Sequence, residues 1–121
     1  MKFKGRIGFI TDNKLFGNGS SSNGHYVYIR EYNKNTGKCI VNTITSLEDY
    51  NGIYKTNRIK EIRKGNIYSI PKKDCNLTLW SGVSCNPIGN ISINDISFSP
   101  NKKIKKRHRF FINKFLGVRR Y

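Results

Sequence analysis

His25-Tyr26-Val27-Tyr28-Ile29-Arg30-Glu31-Tyr32, followed by Asn33-Lys34-Asn35-Thr36-Gly37 and then Lys38-Cys39-Ile40-Val41-Asn42-Thr43-Ile44-Thr45, reads as a β-hairpin. The flanks are rich in aromatic and β-branched residues and alternate in character, which suits a pleated strand. Val27 and Ile29 share one face, and Tyr26, Tyr28, Arg30 and Tyr32 share the other. The Asn/Gly-rich centre supplies residues that tolerate the positive φ of tight turns. The hairpin makes the chain mainly β.

The pattern extends to both sides. Gly5 to Thr11 is a short strand candidate with apolar Ile7, Phe9 and Ile10. Asp12 to Gly24 is a Gly/Ser/Asn-rich loop, and no Gly-Lys-Ser/Thr closes it as a phosphate-binding Walker loop would require. Arg58 to Arg63, a Lys64-Gly65-Asn66 turn and Ile67 to Ile70 form a second expected strand pair, ended by Pro71. Residues 72–87 look irregular, and Ile88 to Ile96 supplies a last strand. About five short strands over some 90 residues predict a small antiparallel SH3-like barrel at about 5–98. The tail then changes period: Ile104, His108, Phe111 and Phe115 fall on one helical stripe, with Pro100 ahead and Gly117 behind. A basic amphipathic helix at about 102–116 completes one domain spanning 1–121.

Charge points to the partner class. The chain carries +16, and nine of its basic side chains lie after Ile96, where there is no acid. A field of this size draws polyanions, nucleic acid first and anionic membrane second. No stretch approaches the ~18 apolar residues of a membrane span, so no transmembrane segment is expected. No apolar signal core follows the charged N-terminus, and the expectation is a soluble cytoplasmic protein. Cys39, Cys75 and Cys85 are odd in number and widely spaced, which suits reduced thiols rather than a disulfide framework or a zinc site. The seven acids form no tight cluster for a two-metal nuclease. No metal or cofactor is expected. Glu48-Asp49, the one adjacent pair, reads as turn chemistry.

Ser20-Ser21-Ser22-Asn23-Gly24-His25 opening a strand, the Asn33–Gly37 hairpin, and Thr43-Ile44-Thr45-Ser46 at the return-strand end together resemble the MazF/PemK family of toxin endoribonucleases. The resemblance covers about residues 5–46. It implies an SH3-like barrel that cuts single-stranded RNA without metal, a homodimer, and an acidic antitoxin-like partner. The family's catalytic threonine falls on Thr45. Its catalytic arginine follows the Gly-His pair, and here that position is Tyr26.

From the residues themselves, His25 is the acid/base candidate, because an imidazole with pKa of about 6.5 exchanges protons near neutrality. Thr45 and Ser46 can donate hydrogen bonds to a phosphate oxygen, and Arg30 or Lys38 can offset developing charge. Alternatively, His25 pins the strand entrance and Thr45 and Ser46 end the strand. Tyr26, Tyr28 and Tyr32 beside Arg30 can stack on bases, at ~1–3 kcal/mol each, or they form a face that the C-terminal helix covers. Lys102, Lys103, Lys105, Lys106, Arg107 and Arg109 can line phosphates, an anionic membrane or an acidic protein, or solvate a docked helix. His108, on the apolar stripe, reads as a packed or partner-bonded histidine. Three functions compete on one fold: metal-independent RNA cleavage, nucleic-acid binding without cleavage, and binding of an acidic protein or anionic membrane through the C-terminal helix.

Overall fold

A computed structural model describes residues 3–11, 24–75, 77–99 and 102–117. The Gly/Ser loop from Asp12 to Asn23 and the Pro100 helix signal lie outside the described residues. Six strands form one antiparallel sheet: β1 (Ile7–Ile10), β2 (His25–Asn33), β3 (Lys38–Ser46), β4 (Ile67–Ile70), β5 (Ser81–Ser92) and β6 (Ser97–Phe98). Two α-helices accompany them, α1 (Thr56–Arg63) and α2 (Lys106–Leu116). The sheet order is β4-β5-β3-β2-β1-β6. Among the described residues no pairing joins β4 to β6, so the sheet is barrel-like but open. The mainly β fold with a C-terminal helix is the one expected.

The hairpin holds in register, with Tyr26 opposite Ile44, Tyr28 opposite Asn42 and Asn33 opposite Lys38. Asn33 closes its turn, its carbonyl accepting from Gly37 N and its side chain from Asn35 N. The predicted tyrosine face does not survive intact. A bulge leaves Arg30 unpaired between the Ile29–Val41 and Glu31–Ile40 pairs. One extra residue shifts every later side chain to the opposite face. Tyr28 therefore joins the core of Ile7, Ile44, Ile70, Val83, Ile104 and Ile112, while Tyr32 packs with Val27, Ile29, Cys39 and Val41 on the other side.

β5 differs most from expectation. Its twelve residues pair with the nine of β3 through two irregularities, near Gly89–Asn90 and near Ser84–Asn86. Asn90 takes up the strain of the first with φ +59°. Pro87, which cannot donate to a ladder, sits at the edge of the second. Gly82 and Pro87 made Ser81 to Pro87 read as irregular, while Ile88 to Ser92 falls within the expected last strand.

Arg58 to Arg63 is helical, not a strand. Ile59 and Ile62 are three apart, as are Arg58 and Glu61, and this spacing is helical. Eight residues with only two isoleucines fit either period, and no residue of α1 is buried. Contacts with β4 and the following turn at Gly65, φ +79°, resolve the ambiguity.

α2 starts at Lys106 rather than near 102, because the chain before it is held extended. Lys105 N donates to the Asp74 carbonyl at 2.9 Å, and Ile104 is buried. Gly117 closes the helix in the left-handed conformation, φ +76°, as expected. The buried stripe is Ile112, Asn113 and Leu116. Phe111, predicted on the core stripe, is 51% exposed. Docking rotates the helix so that Tyr28 Oη donates to Asn113 Oδ1 at 2.7 Å, a buried bond across the core.

Candidate RNA cleft

β2 and β3 run antiparallel with Tyr26 opposite Ile44 and Val27 opposite Thr43. One step further along this register brings His25 level with Thr45. Strand alternation puts His25, Thr43 and Thr45 on the face away from α2. Ser84, paired with Ile67, faces the same way, and the bulge beside it turns Asn86 there too. Helix α1 contributes Arg58 and Glu61 from one of its faces, and Asn66 follows it. These residues line a cleft of about 550 Å³.

Gly24 fixes the entrance to β2. It has φ +148°, and a Cβ there would stand 2.5 Å from the Phe9 ring and 2.7 Å from the Ile10 carbonyl. Only glycine fits against β1 at this point, and Ile10 pairs with His25 directly afterwards. The glycine of the Gly-His pair thus has a backbone reason.

Of the predicted catalytic residues, His25 and Thr45 meet in the cleft and Ser46 does not line it. Ser46 Oγ instead accepts from Lys55 Nζ at 2.7 Å, just ahead of α1. Six cleft residues had no place in the sequence reading of the site: Arg58, Glu61, Asn66, Ile67, Ser84 and Asn86. Glu61 Oε2 accepts from Asn66 Nδ2 at 2.6 Å, which orients both groups at the cleft wall. The helical spacing of Arg58 and Glu61 was the sequence signal that could have found them.

The predicted nucleic-acid contacts scatter. Tyr28 is fully buried beneath α2 and presents no ring face to a base. Tyr26 is half-buried, its ring edge-on to Phe9 at 5.1 Å with Lys102 Nζ 5.8 Å from its centre. Arg30 occupies the β2 bulge, and Lys38 is exposed at the far end of β3 from Thr45. Seven residues of extended chain separate these ends by ~23 Å. Lys103 and Lys106 are exposed, and Arg109 is half-buried with its Cδ 3.1 Å from where a Gly5 Cβ would stand. The exposed aromatic side chains of the sheet end are Tyr50, 86%, and Tyr54, 65%. They stand on a loop braced by Asp49, whose carboxylate accepts from Asn51 N and Ile53 N. This is the turn role expected of Asp49, whereas Glu48 is buried and paired with Lys72 Nζ at 3.0 Å.

Lys105, Arg107 and His108 converge on Asp74, which is 1% exposed. Lys105 Nζ lies 3.2 Å from Asp74, Arg107 Nη2 3.1 Å and His108 Nε2 2.6 Å. With Nε2 donating to the carboxylate, His108 Nδ1 accepts from Tyr68 Oη at 3.0 Å. His108 is thus partner-bonded, as the sequence suggested, but Asp74 was not foreseen as its partner. The first turn of α2 is entirely basic, with no side-chain cap. Basic residues there oppose the helix dipole, and Asp74 supplies the missing negative charge from another part of the chain.

Burial disfavours the Asp74 carboxylate, but hydrogen bonds from His108, Arg107 and Lys105 outweigh it and hold its pKa well below the usual carboxylate range. A depressed carboxyl stabilises the fold above its unfolded value of about 3.9 and loses that contribution as pH falls below it. Thermal melts between about pH 2 and 7 should show this acid limb. Asp74→Asn should melt lower at neutral pH and show a shallower acid slope. An unchanged slope would remove Asp74 as its source.

Among the described residues no helix is long and apolar enough to cross a membrane. Comparison with protein-family models and with curated proteins finds no match for this chain.

Proposed function

We propose that the cleft binds single-stranded RNA and cleaves it without a metal ion. The observation that carries this reading is the convergence of His25, Thr45 and Arg58 from three separate elements on one cleft. Arg58 restores the guanidinium that the MazF/PemK resemblance calls for and that Tyr26 does not supply. The 2′-hydroxyl attacks the adjacent phosphorus as its proton passes to His25. The phosphorus–5′-oxygen bond breaks, and the 5′-oxygen takes a proton from water. A 2′,3′-cyclic phosphate and a 5′-hydroxyl result. Arg58 offsets charge on the phosphorane, and the Thr43 and Thr45 hydroxyls donate to its non-bridging oxygens. Asn66 and Asn86, with Glu61, offer donors and acceptors to base edges. A cytoplasmic setting and an acidic antitoxin-like inhibitor belong to the same reading.

The test is incubation with a mixed RNA pool in EDTA, followed by end mapping. Wild type should yield cyclic-phosphate ends, and His25→Ala should slow their appearance about 10²–10⁴-fold. No cleavage by wild type in EDTA would sink the catalytic reading. Salt-sensitive binding without cleavage would select a non-catalytic RNA binder, which Tyr26 favours by standing where the family has its arginine.

A further inference from the structure

We infer that the outward face of α2 docks on an anionic lipid bilayer. At 100° per residue, Lys106, Phe110, Lys114, Arg107 and Phe111 occupy one arc of about 140°, and all five are exposed. The arc interleaves three cations with two phenylalanines. Phe110 is 47% and Phe111 51% exposed, with ring centres 5.5 Å apart. Lys103 extends the basic border just before the helix, and α2 contains no acid. Arg107 reaches back to Asp74 yet keeps 64% of its side chain exposed.

Charge and shape together select the occupant. Single-signed charge around an apolar pair is the pattern of a helix lying in a membrane interface. Each lysine gains from the negative surface potential, while the rings enter the acyl boundary. A second copy of the chain would bring like charges face to face. RNA held in the cleft would not cover this face, because α2 packs against the opposite side of the sheet. Phenylalanine offers no hydrogen-bonding group to base edges, and the convex helix has no groove to hold a base.

The experiment is co-flotation of the full chain with phosphatidylcholine vesicles, with and without phosphatidylglycerol. Wild type should float with the anionic vesicles and not the neutral ones. The Phe110→Ser/Phe111→Ser double variant should partition about tenfold less or weaker still, and Lys106→Glu/Lys114→Glu should stay in solution. These side chains are exposed, so far-UV circular dichroism should match wild type. RNA cleavage by the phenylalanine variant should also be unchanged, which separates failure here from failure of the cleft reading. Absence of anionic-vesicle binding overturns the proposal, as does binding indifferent to the phenylalanines. Loss of RNA affinity in the Phe variants reassigns the face to nucleic acid. Conversion of an oligomer to monomer in the same variants reassigns it to self-association. Either result overturns the lipid assignment.

Discussion

Arg58→Ala is expected to lower RNA cleavage about 10²–10³-fold without unfolding the protein. Arg58 stands exposed on α1, which buries none of its residues, so the substitution leaves the core intact. Its guanidinium is the cleft-lining cation. A phosphorane carries more charge than the phosphodiester from which it forms, so a cation there stabilises the transition state more than the ground state. The loss should appear in kcat and kcat/KM together. Arg58→Lys should recover part of the rate, because lysine keeps the charge but not the two-pronged donor geometry. Single-turnover cleavage of a defined single-stranded RNA reads the effect. Wild-type rates in Arg58→Ala would mean that no phosphorane contact comes from α1.

Tyr28→Ala should destabilise the protein by about 3–5 kcal/mol, the largest structural effect anticipated. Tyr28 is fully buried in the core shared by the sheet and α2. Truncation leaves a cavity between them and frees Asn113 Oδ1. Tyr28→Phe separates the two effects. It keeps the ring but leaves the buried Asn113 without its donor, at about 1–3 kcal/mol. Alkaline titration provides an independent check. Burial pushes the Tyr28 phenol up to about 12, against the opposing Arg109 charge and Asn113 hydrogen bond. A phenol raised in the folded state stabilises fully below its unfolded pKa of about 10 and loses that contribution as pH rises from there through about 12. The two-unit shift corresponds to about 2–3 kcal/mol. Urea melts across this window should steepen for wild type relative to Tyr28→Phe. Parallel curves would argue against a buried neutral phenol.

Much of the fold could be read locally, and the exceptions share a cause. The β2–β3 hairpin is encoded by alternation and by a turn whose Asn and Gly residues satisfy local hydrogen bonds. The Gly117 cap is likewise a local backbone requirement. The period of α1 was ambiguous because eight residues with two isoleucines fit both patterns. The first part of β5, Ser81 to Pro87, was hidden because a bulge lets Pro87 sit inside a strand, whereas Ile88 to Ser92 lies within the strand expected there. The face assigned to Tyr32 was reversed by one unpaired residue, Arg30, whose bulge depends on how β3 pairs with β2.

The site divides along the same line. His25 was identifiable from its residue type at the strand entrance and Thr45 from the family resemblance, and the register of one contiguous hairpin brings the two level. Their chemistry follows from residue type. Arg58 reaches the cleft through the packing of α1 on β4, which no local pattern specifies. Asp74 meets Lys105, Arg107 and His108 across more than thirty residues, as the extended chain before α2 returns to it. The sequence by itself determined a basic, mainly β chain with a Gly-His hairpin and a cationic helical tail. Only tertiary structure decided which side chains line the cleft, which tyrosine is core and which phenylalanines face outward. Composition and short-range periodicity reside in neighbouring residues, whereas burial and helix rotation depend on contacts between distant segments.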